Sequence, residues 1–275
     1  VLREKSVVVG VSQSGETADT LAVIREMKRR EIRTLAITNV RGSTMSRECD
    51  ATFFTSAGPE IGVLATKTFT AQLAVLATWA GYLAKERGIK NQRLDQKQLD
   101  EFFHQLIRVP HAIASALELD GPYMKQIKKV AKRVENAKGF FFIGRGYSFA
   151  MALEGALKLK EVAYVHAEGY AGGELKHGPL AMIDEEMVVV VVSPDDKWRE
   201  KSISNLQEVK ARGARILGIG NPEDDELKGQ CDEWIPLTVG RAELQTWDES
   251  LYPFFLGPSL QLFSYEIALL KGTDV

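Results

Sequence analysis

Two groups of residues have the types and spacings that chemistry needs. The first is Ser12-Gln13-Ser14-Gly15-Glu16-Thr17, with three hydroxyls, an amide and a glycine in one short run. It lies between the apolar stretch Val7–Val11 and the pattern Leu21, Ile24, Met27, an order that reads strand, polar turn, helix. A helix start offers unpaired N–H groups and the positive end of the helix dipole. Hydroxyls beside it suit a phosphate monoester, and Gly15 lets the backbone come close. The competing reading is an ordinary N-cap or capping box. A cap uses one hydroxyl, however, and here Ser12, Ser14 and Thr17 crowd together with Gln13.

The second group is Glu154, Lys158 and Glu161, spaced by four and three residues on a pattern that reads helical from Ser148 to about His166. That spacing puts all three on one face. The competing reading is a solvated face laced with salt bridges. The helix opens with Gly144-Arg145-Gly146 after a strand, which places its start at the carboxyl edge of a sheet, where open α/β sheets bind ligands. Soon after comes Gly172–Pro179, a glycine-bracketed loop that displays Lys176 and His177. An imidazole on such a loop is a candidate acid–base group. His104, His111 and His166 fall in helical or helix-end patterns and read as structural.

The elements that must position these residues form an internal repeat. In the first copy Val7–Val11 leads to the polar turn, a helix over 18–30, the strand Thr34–Ile37 and Asn39. In the second, Val188–Val192 leads to Ser193-Pro194-Asp195-Asp196, a helix over 201–212, the strand Ile216–Ile219 and Asn221. Each copy continues with a Cys-Asp pair (Cys49-Asp50, Cys231-Asp232), another strand and a long apolar helix. Alternating strands and helices predict an α/β fold of two domains, each a parallel sheet flanked by helices in three layers. The second copy has its own strand Phe140–Ile143 and helix before Val188. The first has only six residues before Val7, so its opening strand and helix are expected to be missing.

The domains are therefore read as 1–89, carrying the phosphate site, and 122–275, carrying the helix and the histidine. Residues 90–121 form a helical connector that Pro110 caps or kinks. Asp195 and Asp196 replace Ser14 and Gly15 in the second copy and would repel a phosphate, so only the first domain is expected to bind one.

Composition excludes several classes. The chain of 275 residues carries a formal net charge of −2 and no basic, aromatic-interleaved patch, which argues against nucleic acid and anionic membranes. No stretch reaches the roughly 18 uncharged apolar residues of a membrane span. The two cysteines lack metal-ligand spacing and read as structural, suited to a reducing cytoplasm. Neither a metal nor an organic cofactor is expected. Gly144-Arg145-Gly146 lacks the third spaced glycine of a dinucleotide fingerprint.

The runs SQSGETADTL, GPEIGVLATKTFTAQL, LEGALKLKEVAYVHAEGYAGGELKHGPLAMID and LLKGTDV resemble the isomerase region, with tandem sugar isomerase (SIS) domains, of the glutamine–fructose-6-phosphate aminotransferases, or glucosamine-6-phosphate synthases. The resemblance covers nearly the whole chain in order. It implies two five-stranded SIS sheets, a homodimer, and a glutaminase domain that supplies ammonia and has no counterpart here. It implies that Ser12, Gln13, Ser14 and Thr17 hold the sugar phosphate and that the turn with Val63 and Ala65 closes over the sugar. Ala65 stands where the family often has serine. Glu161 would move the proton between C1 and C2, with Lys158 and Glu154 nearby, and His177 from the partner subunit would open the ring. The family's Schiff-base lysine lies in a tail beyond Val275 and no lysine here matches it, so weak or absent catalysis by this chain alone is an expectation. A sugar-phosphate deaminase without glutaminase and a non-catalytic sugar-phosphate sensor are the alternatives.

Overall fold

The apolar runs form two separate parallel sheets. The computed structural model describes residues 5–88, 95–118, 121–237 and 247–274. The chain divides into two compact units, 1–103 and 104–275.

The first unit runs β1 (Val7–Val11), α1 (Ala18–Arg29), β2 (Arg33–Thr38), α2 (Thr44–Glu48), β3 (Ala51–Phe54) and α3 (Lys67–Leu83), ending in a π-turn over Ala84–Gly88. Its strands lie in the order β1-β2-β3, all parallel, with Val11 opposite Ile37 and Thr38 opposite Phe54. Helix α1 buries Leu21, Ile24 and Met27, the period expected of a one-sided helix, and places Lys28 and Arg29 in its last turn, where cations suit the dipole. Among the described residues β1 pairs only with β2, and Val7 and Val11 are 50% and 40% exposed.

Helix α4 (Gln96–Ala116) carries the chain from one unit into the other. The connector was expected over 90–121; residues 89–94 and 119–120 lie outside the described residues. Pro110 does not cap the helix but sits inside it.

The second unit continues with α5 (Pro122–Val134), β4 (Gly139–Gly144), α6 (Tyr147–Ala163), β5 (Ala167–Ala171), two short 3₁₀ segments (Gly172–His177, Pro179–Met182) and β6 (Met187–Ser193). Then come α7 (Arg199–Lys210), β7 (Arg215–Gly220), α8 (Asp225–Lys228), β8 (Glu233–Pro236) and α9 (Tyr252–Lys271). The five strands are parallel in the order β5-β4-β6-β7-β8, so the order reverses between β4 and β6. Both central strands are buried almost throughout, as unbroken Phe and Val runs require of a sheet covered on both faces. Phe140 packs edge-on against Phe263 of α9.

Two features depart from the sequence reading. Helix α6 stops at Ala163, where Tyr164 turns left-handed at φ 52°, so His166 lies outside it. Strand β5 was missed because Ala167-Glu168-Gly169-Tyr170-Ala171 carries a single bulky β-former. The repeated Cys-Asp pair is now explained. The Asp50 carboxylate accepts the Thr34 N–H at 2.7 Å, and Asp232 accepts the Ile216 N–H at 2.7 Å, so the two aspartates pin the starts of β2 and β7. Both cysteines are free thiols, and burial pushes Cys231 up to about 12.

Candidate active site

In the first unit the run Ser12–Thr17 leaves β1 and enters α1 at the carboxyl edge of the sheet. Thr17 is the N-cap, but its side chain does not cap, and no Glu stands at the position that a capping box needs. Instead the Ser12 hydroxyl accepts the Gly15 N–H at 3.1 Å and pairs with Thr17 Oγ1 at 2.8 Å, while Ser14 Oγ accepts the Glu16 N–H at 3.2 Å. Glu16 turns away to accept the Thr44 N–H at 2.7 Å, which holds its carboxyl below the ordinary range. Gln13 and Ser14 are half-buried, Ser12 is buried and Thr17 is exposed.

Gly15 has φ +67°, and a Cβ there would collide with the Ser43 hydroxyl and lie 2.7 Å from Ser43 Cβ. The turn thus bends tightly around Ser43, with its carbonyl at Gly15 accepting the Met45 N–H at 3.0 Å.

Asn39, at the end of β2, joins this turn to the loop after β3. Its N–H donates to Gln13 O at 3.0 Å, its Oδ1 accepts the Ala57 N–H at 2.9 Å and its Nδ2 donates to Gly58 O at 2.7 Å. The same loop carries Val63, 87% exposed, and Ala65, half-buried. Asn39 thus ties the hydroxyl turn to the Ala57–Gly58 part of the loop that runs on to Val63 and Ala65.

Sequence reasoning missed Glu60, which fixes the end of that loop. Its carboxylate accepts from Thr66 Oγ1 at 3.2 Å, Thr68 N–H at 3.0 Å and Thr68 Oγ1 at 2.6 Å, supplying the acceptor for the first turn of α3. Partial burial pushes the Glu60 carboxyl up, but these donors together outweigh it and hold it below its usual 4.5. A depressed carboxylate contributes stability above its unfolded pKa and loses it as pH falls through the folded value. Acid titration of thermal stability should therefore show a loss below about pH 4.5 that is smaller in Glu60→Gln. An unchanged acid limb would remove Glu60 as the clamp.

In the second unit, α6 presents the charged face. Lys158 is 3% exposed, its Nζ 2.8 Å from Glu161 Oε2 and 3.5 Å from Glu154 Oε1. A solvated salt-bridge face is thereby ruled out: the lysine is buried between two carboxylates. Glu154 is the deeper of the two, its side chain 12% exposed against 31% for Glu161. Burial raises the Glu154 carboxyl above its usual value, opposed by the attraction of Lys158 and assisted by the Glu161 charge. Glu161 is the carboxylate that keeps access to solvent and a fixed ammonium partner.

His177 ends the first 3₁₀ segment, which occupies the glycine-bracketed stretch, and is exposed. His104, His111 and His166 are exposed as well, and His166 Nε2 lies 3.4 Å from Glu168. The β6–α7 turn, counterpart of the hydroxyl turn, shows Asp195 and Asp196, and burial pushes Asp196 up to about 6. The indole of Trp198 lies directly against Gly146, closing the place where strand order reverses. Among the described residues, no group of three or more His, Cys, Asp or Glu side chains is placed to hold a metal ion, and no helix is long and apolar enough to cross a membrane.

Two hydroxyl- or acid-bearing turns on repeated parallel sheets, with a carboxylate–lysine helix, define a tandem α/β protein with parallel sheets. The SIS domain pattern matches residues 1–80 and 134–271, and the chain belongs to the SIS domain family. It is 46% identical to the glutamine–fructose-6-phosphate aminotransferase (isomerizing) of Bartonella quintana over 97% of this chain and 42% of that protein. The chain thus spans about two fifths of the length of the curated relatives that it matches. The C-terminal domain of glucosamine-fructose-6-phosphate aminotransferase from Francisella tularensis superposes with a TM-score of 0.88 at 39% identity, covering 100% of this chain and 74% of that one. A glucosamine-6-phosphate deaminase from Thermotoga maritima shares the fold, with a TM-score of 0.70 at 21% identity over 99% of this chain and 72% of that one.

Proposed function

We propose that this chain is the sugar-phosphate isomerase part of a glutamine–fructose-6-phosphate aminotransferase. The reaction joins fructose 6-phosphate with ammonia drawn from glutamine and yields glucosamine 6-phosphate and water. The observation that carries the reading is the buried Lys158 held between Glu154 and Glu161. A phosphate sensor has no use for such a group. Between the two superposed structures, 39% identity to the aminotransferase against 21% to the deaminase favours transfer over deamination.

In this reading Ser12, Gln13, Ser14 and Thr17 hold the phosphate, and Val63 and Ala65 lie over the sugar. His177, donated by the partner subunit of a homodimer, moves the proton that opens the ring. Ammonia, released by a glutaminase domain, replaces the C2 oxygen as an imine with loss of water. Glu161 then takes a proton from C1 and returns it to C2 while the C1 hydroxyl proton passes to the imine nitrogen, which leaves an aldehyde at C1 and an amine at C2. One carboxylate over both carbons suffices for that shift. Lys158 fixes the Glu161 carboxylate, and Glu154 fixes Lys158. The two free thiols suit a cytoplasmic setting.

Calorimetric titration with glucosamine 6-phosphate tests the first step, with glucosamine and inorganic phosphate as controls. Binding that needs both sugar and phosphate, and that is lost in Ser14→Ala/Thr17→Val, is the expected result. Equal binding by wild type and double variant would overturn the assignment of the turn.

A further inference from the structure

The segment Gly172–His177 that ends on the candidate imidazole rests on a seat built by two residues outside it. Arg145 Nε donates to Asn205 Oδ1 at 2.9 Å, and Asn205, on α7, is only 5% exposed. A Cβ at Gly172 would collide with that same Oδ1 and lie 3.3 Å from Arg145 Nε. A Cβ at Gly173 would lie 3.6 and 3.7 Å from the two Arg145 Nη atoms. The Gly172–Gly173 backbone therefore lies against guanidinium and carboxamide, an approach that a side chain at Gly172 would block and one at Gly173 would meet at ordinary contact distance.

Two further ties continue from this seat toward the imidazole. Leu175 is fully buried and shares a core with Ile143, Ile203 and Leu206. Lys176 Nζ pairs with Glu208 Oε1 at 3.0 Å, and Asn205 Nδ2 lies 3.5 Å from Glu208 Oε2. Contacts thus run from Arg145 through Asn205 and Glu208 to Lys176, the residue before His177. Among the described residues the one side-chain hydrogen bond that Arg145 makes is this bond from Nε to Asn205. Arg145 also belongs to the turn that opens α6, the helix of Glu154, Lys158 and Glu161.

We infer that Arg145 and Asn205 are positioning residues that hold the His177 segment in register with the start of helix α6. The inference rests on the proposed role of His177 in ring opening and deepens it. A planar, permanently charged fork makes this contact, and a lysine ammonium cannot reproduce it. A misplacement of about 1 Å in an acid–base group lowers rate by about 100-fold.

The test compares Arg145→Ala and Arg145→Lys with the unaltered sequence, each carried in the complete parent aminotransferase. Amide hydrogen exchange at 172–177 is expected to rise at least about tenfold in both variants, with β4 and α7 unchanged, because the seat is lost. Turnover of fructose 6-phosphate is expected to fall about 10- to 100-fold with KM within about twofold. Turnover of 5-deoxyfructose 6-phosphate, which cannot form the furanose ring, is expected to stay at the wild-type level. Unchanged exchange at 172–177, or an equal fall on both sugars, would overturn the inference. His177→Gln is the separating control. If it slows neither sugar, the role given to His177 fails, and the exchange result still decides whether Arg145 seats the segment.

Discussion

Glu161→Gln in the complete parent aminotransferase is expected to lower turnover by about 10²- to 10⁴-fold while leaving sugar-phosphate affinity within about twofold. The carboxamide keeps the size of the carboxylate and an oxygen for the Lys158 ammonium, which lies 2.8 Å from Glu161 Oε2. What it loses is the capacity to take a proton and return it. Lys158 also keeps Glu154 at 3.5 Å, so the buried ammonium is not left without an anion and the fold should survive. Glu154→Gln is the comparison: it removes the deeper anion and should affect stability more than proton transfer. Steady-state rates together with calorimetric binding separate these effects. Turnover retained in Glu161→Gln would take the proton-moving role away from that residue.

The second large effect is expected at Gly15. Gly15→Ala forces a side chain onto a left-handed backbone, φ +67°, and drives its Cβ into Ser43 and to 2.9 Å from Thr38 Oγ1. Strain and collision together should destabilise the first unit by about 2–4 kcal/mol. Any relaxation must move the Gly15 carbonyl off the Met45 N–H or the Gly15 N–H off Ser12 Oγ, and either shift disperses the hydroxyls of the turn. Affinity for glucosamine 6-phosphate should therefore fall at least about tenfold. Gly42→Ala is the control, because Gly42 has φ +75° but nothing within 4 Å of a Cβ. It should show only the backbone term, about 1–2 kcal/mol. Denaturant unfolding of both variants measures the difference, and equal losses would mean that packing against Ser43 is immaterial.

Much of this arrangement was legible in the chain itself. Unbroken Val and Phe runs announced buried parallel strands, and the Glu154/Lys158/Glu161 spacing placed three charges on one helix face. The repeat located corresponding turns in both units. What the sequence did not reveal were features set by tertiary contact. Nothing in the pattern of Lys158 distinguishes a buried ammonium from a solvated one; that depends on the strand and helices packed around α6. Strand β5 lacked apolar alternation because its position beside β4, not its own composition, makes it a strand. Glu60 and Asn39 act through loop backbone groups that are distant in sequence, and periodicity carries no record of such bonds. The Cys-Asp pairs were visible as a repeat, but the aspartate hydrogen bonds to Thr34 and Ile216, and the packing of both thiols against the cores, carry no signal in the sequence.

Strand β1 has a further consequence. One side of it is knitted to β2, and along the other a row of backbone donors and acceptors has no partner among the described residues, flanked by valines at both ends. Such a border is sticky toward any extended polypeptide, its own twin included. For this polypeptide in a test tube, crowding more than heat would then decide how long it stays dispersed. Light scattering should climb steeply with concentration at temperatures where circular dichroism still reports an intact fold, and a lysine placed at Val7 should suppress the climb.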